Sequence, residues 1–235
     1  MNEHISSAFD RDLETIQALV VKMGGLVENA ILEGAKSLET RDVERAEVVR
    51  KGDKVIDALE EQINEEAARV IALRAPVSKD LRSLLSVLKL ASSLERMGDY
   101  AKNMAKRTSL LAEMQPINGT DAALRRMSKE VQAMLSDALD AYVRRDADLA
   151  ESVRQRDSEV DQMYNALFRE FLTFMMEDPR NITACMHMHF IAKNVERMGD
   201  LVTNMSEQVI YMVTGEMPDE DRPKMDHTAT MQAEG

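Results

Sequence analysis

The 235-residue sequence predicts an all-α protein built as two tandem antiparallel three-helix bundles, related by internal duplication. Three observations predict this fold. Aromatic residues make up 4% of the chain, and there are 9 glycines and 5 prolines, whereas strong helix formers are abundant. Apolar residues recur at helical spacing along most of the chain. The sequence of residues 95–99, Glu-Arg-Met-Gly-Asp, recurs at residues 196–200, which indicates a repeat.

The repeat extends well beyond this pentapeptide. The Glu-Arg-Met-Gly-Asp motif recurs at an offset of 101 residues, and an Asp-x-x-x-Asp pair beginning at Asp53 recurs from Asp157, at an offset of 104. Pro76 and Pro179 lie between the two motifs in the same order, at an offset of 103. The drift in offset falls around these prolines, as expected for insertions in a connection between helices. The chain is therefore interpreted as a tandem duplication of a unit of roughly 100 residues.

The first helix of each unit carries an apolar seam. In the first unit, apolar residues alternate in steps of four and three from Phe9 to Ala30. In the second unit, the same alternation runs from Leu124 to Ala141. This spacing is typical of a helix packed in a bundle.

The second and third helices of each unit are predicted to form a hairpin at the proline. Asp42 and Asp146 are suitable N-caps for the second helices. Pro76 and Pro179 end those helices, because proline lacks an amide proton and disfavours a helical preceding residue. The predicted second and third helices run from Asp42 to about Leu73 and from about Ser78 to Met114 in the first unit, and from Asp146 to about Met176 and from about Pro179 to Val213 in the second.

These elements divide the chain into two bundles and a tail. We expect the first bundle over residues 1–115 and the second over residues 116–215, joined by the turn-forming segment Gln115–Gly119. Residues 216–235 are polar, acidic and without periodicity, which predicts a disordered tail.

Composition excludes several classes of protein. The formal net charge of −12 argues against nucleic-acid binding, which relies on a basic excess. A single cysteine rules out a disulfide framework within the chain. No apolar run approaches the roughly 18 residues of a bilayer span, and the polar N-terminal residues do not resemble a signal peptide. These features predict a soluble, intracellular protein.

Four acidic pairs with i,i+4 spacing are the main candidate functional residues, and each pair shares one helix face. We call Asp53, Asp57, Glu95 and Asp99 the first acidic cluster, and Asp157, Asp161, Glu196 and Asp200 the second. In the first unit, Asp57 and Glu95 each lie 19 residues from Pro76, and Asp53 and Asp99 each lie 23 residues from it. In an antiparallel hairpin, equal distances from the turn mean equal heights. Four carboxylates are therefore expected at one level of each unit.

Such a cluster needs compensation, because like charges brought together and partly desolvated repel strongly. Oxygen ligands suit hard cations such as Mg²⁺, Mn²⁺ or iron. Duplication and matched heights favour metal sites over solvated surface charge, whereas the comparable pair Glu61 and Glu65 is interpreted as surface charge. Close helix approach is the expected reason for Gly98 and Gly199, since glycine weakens a helix by about 1 kcal/mol relative to alanine.

Three further residues are candidates for supporting roles. Asn103 and Asn204 each follow the motif aspartate by four residues. Two interpretations are open for them: interhelical hydrogen-bonding amides, or additional or supporting metal ligands. His189 shares the acidic face but lies seven residues before Glu196, about 10.5 Å along the axis. Packing inside the bundle is the favoured interpretation for His189, with ligation as the alternative.

Two copies of Glu-Arg-Met-Gly-Asp-x-x-x-Asn, each preceded by an Asp-x-x-x-Asp pair on the previous helix, resemble the PhoU family. The resemblance covers roughly residues 4–213. It implies a cytoplasmic, non-enzymatic, homodimeric regulator that represses the phosphate-starvation response and restrains phosphate uptake. The implied partners are the ATPase subunit of the phosphate ABC transporter and a membrane sensor histidine kinase. Membrane association would be peripheral and would occur through these partners.

The resemblance also implies divalent or multinuclear metal (Fe, Mn, Mg or Zn) bound by the eight carboxylates of the two acidic clusters. The second unit differs from the first beside the motif, where Val202 and Thr203 replace Ala101 and Lys102. The two sites are therefore expected to differ in affinity or in the metal they bind.

The alternative hypothesis is a carboxylate-bridged di-iron enzyme, or a metal-storage protein, in a helical bundle. Ferritin-like sites require Glu-x-x-His, and no histidine of this chain is preceded by glutamate at that spacing. The sequence therefore favours the regulator.

Overall fold

The computed structural model describes residues 2–117 and 119–218, which form six long α-helices and no strand. The helices are α1 (Asn2–Thr40), α2 (Val43–Arg74), α3 (Ser78–Leu111), α4 (Thr120–Arg144), α5 (Ala147–Glu177) and α6 (Ile182–Thr214). A single turn of 3₁₀ helix, Pro179–Asn181, precedes α6. The all-α prediction is confirmed. The predicted tail lies outside the described residues from position 219 onward.

Helices α1, α2 and α3 pack together as one bundle, and α4, α5 and α6 pack as a second. The bundles also contact each other through corresponding helices, since α1 packs on α4 and α3 packs on α6. The seam residues Met23 and Val27 of α1 and their counterparts Met127 and Val131 of α4 are fully buried. Buried apolar residues of all six helices form one continuous core.

Both predicted N-caps are confirmed. The Asp42 carboxylate accepts a 2.9 Å hydrogen bond from the backbone N–H of Arg45, and Asp146 accepts one of 2.9 Å from Leu149 N–H. These bonds satisfy amides that the first turn of a helix leaves without partners. The preceding residue in each unit, Arg41 or Arg145, is left-handed with φ of 54°. Both units therefore turn sharply between their first and second helices in the same way.

Two helix ends differ from the prediction. Helix α3 ends at Leu111, three residues before the predicted end, because Glu113 N–H and Met114 N–H bond to carbonyls three residues back and tighten the chain into turns. Helix α6 begins at Ile182, not at Pro179, because the Asp178 side chain accepts from Arg180 N–H and holds a separate 3₁₀ turn there. The hairpin positions themselves are as predicted.

Within the described residues, one segment, Phe9–Thr40 of α1, has the length and composition of a membrane span. Polar residues interrupt this segment, so it contains no long continuous apolar run, but its average composition is apolar enough to meet the criterion. The same criterion is met by core helices, and Ile16, Val20 and Ile31 of α1 are buried in the bundle.

Candidate metal centre

The motif glycines bring the second and third helices of each unit close together at the level of the acidic residues. A Cβ atom on Gly98 would lie 3.1 Å from Ile56 Cδ1 of α2. A Cβ atom on Gly199 would lie 3.2 Å from Asp157 Oδ1 and 3.3 Å from Val160 Cγ1 of α5. Close approach is therefore confirmed as the reason for glycine at both positions. It also sets the separation between the two acidic faces.

In the first acidic cluster, a lysine bridges the two helices. Asp53 of α2 is only 5% exposed, while the other three carboxylates are partly buried. Lys102 Nζ of α3 lies 2.5 Å from Asp53 Oδ2 and 2.5 Å from Asp99 Oδ1. Asp53 and Asp99 are the two residues that lie 23 positions on either side of Pro76. The structure thus brings these two carboxylates to the same height.

The remaining carboxylates of this cluster lie in its electrostatic field. Partial burial, followed by repulsion from Asp53, raises the pKa of Asp57. Partial burial, followed by repulsion from Asp99, raises the pKa of Glu95. The pKa of Asp57 responds to Asp53 and Asp99, and the pKa of Glu95 responds to Asp99, Asp57 and Asp53, so the four predicted residues form one interacting group. Such a group favours any cation that can enter it.

The second acidic cluster is more deeply buried than the first. Asp157, Asp161 and Glu196 are 3%, 5% and 6% exposed, and Asp200 is partly buried. Lys193 Nζ lies 2.9 Å from Glu196 Oε1, one turn before it on α6. Buried carboxylates are stable only when hydrogen bonds or positive charge compensate their desolvation. The second cluster therefore also contains a basic partner.

The three supporting candidates occupy different environments. The side chains of Asn103 and Asn204 are exposed. His189 packs among the rings of Tyr164, Phe168 and Phe190, with centroid distances of 5.4–6.0 Å. Burial, and then the charge of Lys193, lowers the pKa of His189. The ring is thus packed against other side chains, as the favoured interpretation predicted, and its partners are aromatic. Its Nδ1 is buried without a hydrogen-bond partner in the described part of the chain.

The donor atoms of the first cluster are of the chemical kind that hard cations bind. All four side chains offer carboxylate oxygens, the ligands that Mg²⁺, Mn²⁺ and related ions prefer. Asp53 Oδ1 is buried and makes no hydrogen bond to the described residues. Among those residues, no three His, Cys, Asp or Glu side chains are arranged as ligands around one point. In the first cluster, the Lys102 ammonium lies between two of the carboxylates.

The acidic pairs alone do not reveal the roles of Lys102 and Lys193. The available signal was spacing, since each lysine lies three residues from a cluster carboxylate on its own helix.

The fold and these clusters define a duplicated all-α protein in which each repeat presents acidic pairs across a helical hairpin. The PhoU domain family model matches residues 20–108 and 124–209, one match in each unit. The chain therefore belongs to the PhoU family.

Curated relatives match almost the whole chain. The "Phosphate-specific transport system accessory protein PhoU homolog" of Caulobacter vibrioides is 44% identical over 96% of this chain and 98% of the relative. The Rhizobium meliloti protein of the same description is 42% identical over 97% of this chain and 96% of its own length.

Two crystal structures have the same fold. PhoU from Pseudomonas aeruginosa is 39% identical, with a TM-score of 0.85 over 88% of this chain and all of the other. The phosphate transport system regulatory protein PhoU from Streptococcus pneumoniae is 32% identical, with a TM-score of 0.83 over 90% of this chain and 99% of the other.

Proposed function

We propose that this protein is a non-enzymatic accessory regulator of phosphate-specific transport. In this role it restrains phosphate uptake and keeps the phosphate-starvation response off while phosphate is abundant. The observation that carries the proposal is the pair of PhoU domains, which together account for most of both helical bundles. Relatives that are 42–44% identical over nearly the whole chain are described as accessory proteins of the phosphate-specific transport system.

The proposed mode of action is that of an adaptor. The protein would contact the ATPase subunit of the phosphate ABC transporter and a sensor histidine kinase, and so couple transporter state to signalling. It would act in the cytoplasm as a homodimer and reach the membrane only through these partners. Co-purification of each partner with the full-length chain tests the contacts, and sedimentation equilibrium tests the dimer. Failure to capture either partner at high and at low phosphate would reject the adaptor role.

Metal binding is the second part of the proposal. The first acidic cluster would hold a hard divalent cation through Asp53, Asp57, Glu95 and Asp99, and the second through Asp157, Asp161, Glu196 and Asp200. When bound, such an ion supplies positive charge that offsets the repulsion within each cluster. The buried Oδ1 of Asp53, which has no hydrogen-bond partner among the described residues, supports this assignment together with the raised pKa values of Asp57 and Glu95.

Deletion of the gene tests the regulatory role. Cells lacking the protein should express phosphate-starvation genes in phosphate-rich medium, and the wild-type gene should restore repression. Unchanged expression in the deletion strain would reject the regulator. Ferrous oxidation by the metal-loaded protein would instead favour the alternative di-iron enzyme.

Elemental analysis tests the metal sites. The variant Asp53→Asn, Asp57→Asn, Glu95→Gln, Asp99→Asn should lose the metal of the first unit and retain that of the second. The matched control is Glu61→Gln, Glu65→Gln, which neutralises an exposed i,i+4 pair on the same helix α2 and should keep the full metal content. Equal metal content in both variants would reject the assignment of the first cluster.

A further inference from the structure

Lys102 places a positive charge at the buried end of the first acidic cluster. Its ammonium joins Asp53 of α2 to Asp99 of α3, with both N–O distances at 2.5 Å. The side chain is 36% exposed, whereas that of Asp53 is 5% exposed. The lysine therefore enters the cluster from the solvent side and pairs with its most buried carboxylate.

This pairing compensates a charge that would otherwise be costly. A buried carboxylate without a partner loses its hydration, and breaking such a pair by removing one member is strongly destabilising. The hydrogen bonds to Asp53 and then Asp99 raise the pKa of Lys102, so the ammonium form is secured. The first cluster thus carries a cation that belongs to the chain itself.

The second unit does not have a lysine at this position. With the repeat offset of 101 residues, the counterpart of Lys102 is Thr203, and the counterpart of Lys193 is Ser92. Thr203 is fully buried, and its hydroxyl donates to the Gly199 carbonyl at 3.1 Å. The carboxylates recur in both units, but each lysine is particular to one unit. The acidic residues therefore do not require a lysine at the position of Lys102, because the second unit has the carboxylates without it.

One carboxylate oxygen of Asp53 is not contacted by the Lys102 ammonium. Lys102 contacts Oδ2, whereas Oδ1 is buried and has no hydrogen-bond partner among the described residues. This oxygen lies on the side of α3, 3.6 Å from the position that a Cβ of Gly98 would take. A cation binding Asp53 and Asp99 together would meet the lysine as a direct competitor.

We infer that Lys102 is a resident counter-cation of the first acidic cluster, which an entering divalent cation displaces. The four-carbon stem and partial exposure of Lys102 allow its ammonium to swing into water when the metal takes over Asp53 and Asp99. In the metal-free protein the lysine holds Asp53 and Asp99 together, and its occupancy of these two carboxylates lowers the affinity of the cluster for metal. This inference rests on the metal binding proposed above, and gives that site a built-in competitor.

The test is a Mn²⁺ titration of the full chain after treatment with a chelator, comparing wild type with Lys102→Gln. The expected result is at least about fivefold tighter binding at one class of sites, the range of an ordinary coupling between two ligands. The matched control is Lys106→Gln, which removes the same charge from an exposed position one turn further along α3. Lys102→Arg keeps the positive charge and should bind no tighter than wild type.

Thermal unfolding gives a second readout. Without metal, Lys102→Gln should melt below Lys106→Gln, because Asp53 loses its counter-charge. With saturating Mn²⁺, Lys102→Gln should show the larger rise in Tm, as tighter binding to the folded state requires.

The outcomes separate the two claims. Equal Mn²⁺ affinity in Lys102→Gln, Lys106→Gln and wild type would overturn the role of Lys102 while leaving the metal site in place. Absence of Mn²⁺ binding in all variants would overturn both the role of Lys102 and the proposed site. Loss of binding in Lys102→Gln would also overturn the inference, because it would make the lysine a requirement and not a competitor.

Discussion

Gly24 of α1 packs directly against Leu139 of α4, and this contact joins the two bundles. A Cβ atom on Gly24 would lie 2.4 Å from Leu139 Cδ1 and 2.9 Å from Cδ2. Leu139 is 6% exposed, so it has little room to move away. The first helices of the two units therefore approach as closely as they do because position 24 has no side chain.

Replacing Gly24 by alanine should destabilise the protein by about 1–3 kcal/mol, because the added methyl group overpacks the contact between α1 and α4. Urea denaturation measures the change. In the Gly24→Ala background, Leu139→Ala should be less harmful than it is in the wild type, since it removes the atoms that clash.

Gly25 provides the control for this prediction. Apart from its chain neighbours and the nearby backbone of α1, no atom of the described residues would lie within 4 Å of a Cβ atom there. Gly25→Ala should therefore stabilise the helix by about 0.5–1 kcal/mol through reduced backbone entropy in the unfolded chain. If Gly24→Ala and Gly25→Ala have the same effect, the close contact with Leu139 is not energetically significant.

Larger side chains at the motif glycines should separate the helices that carry the acidic clusters. Gly98→Leu and Gly199→Leu are each expected to destabilise by about 1–3 kcal/mol, which corresponds to a fall in Tm of roughly 2–4 °C per kcal/mol for a chain of this size. Each should also weaken metal binding in its own unit, because the two acidic faces move apart. Gly25→Leu is the control for leucine in a helix. A fall in Tm with unchanged metal affinity would show that metal binding does not depend on the spacing of these helices.

The hairpins and the close helix approach at the motif glycines could be predicted from the sequence. Proline and the N-cap aspartates act locally, so their effects could be inferred from neighbouring residues. The contact of Gly24 with Leu139 could not, because an apolar seam reports that a helix is buried but not which helix covers it. The bridge from Lys102 to Asp53 was equally inaccessible, since spacing pairs Lys102 only with Asp99 on its own helix. A long flexible side chain can reach any of several acidic residues on a neighbouring helix.

The two N-caps should make similar contributions to stability, because the duplication preserves their geometry. Asp42→Ala and Asp146→Ala are each expected to cost about 1 kcal/mol, since each leaves one amide of the first helical turn without its partner. Chemical denaturation measures the loss. Asp42→Asn and Asp146→Asn keep the capping oxygen and should remain close to wild type. Equal losses for alanine and asparagine would point to the charge, and not the hydrogen bond, as the source of the effect.

His189 should make the folded protein sensitive to mild acid. Its pKa in the folded state is lowered below the usual value of 6.5, so above that pH the ring is neutral in both the folded and the unfolded chain. As the pH falls through 6.5, the unfolded chain takes up the proton first, and stability decreases. His189→Phe removes this component while keeping an aromatic ring beside Tyr164 and Phe168.

The measurement is Tm at several pH values for wild type and His189→Phe. The Tm of the variant minus that of wild type should grow more positive between pH 7.5 and pH 5.5, by an amount on the order of 1 °C or more. Because the other histidines are common to both proteins, the difference isolates His189. A difference that stays constant with pH would show that protonation of this ring is not linked to folding.

Two of the three helices of each unit pack on their own counterparts in the other unit. Helix α1 contacts α4 and α3 contacts α6, and each of these pairs is related by the duplication. Self-complementary contact between equivalent surfaces is the pattern of a two-fold symmetric dimer. The single chain therefore contains within itself the kind of interface that two copies of one unit would form. The two halves nevertheless differ locally, as the exchange of Lys102 for Thr203 and of Ser92 for Lys193 illustrates.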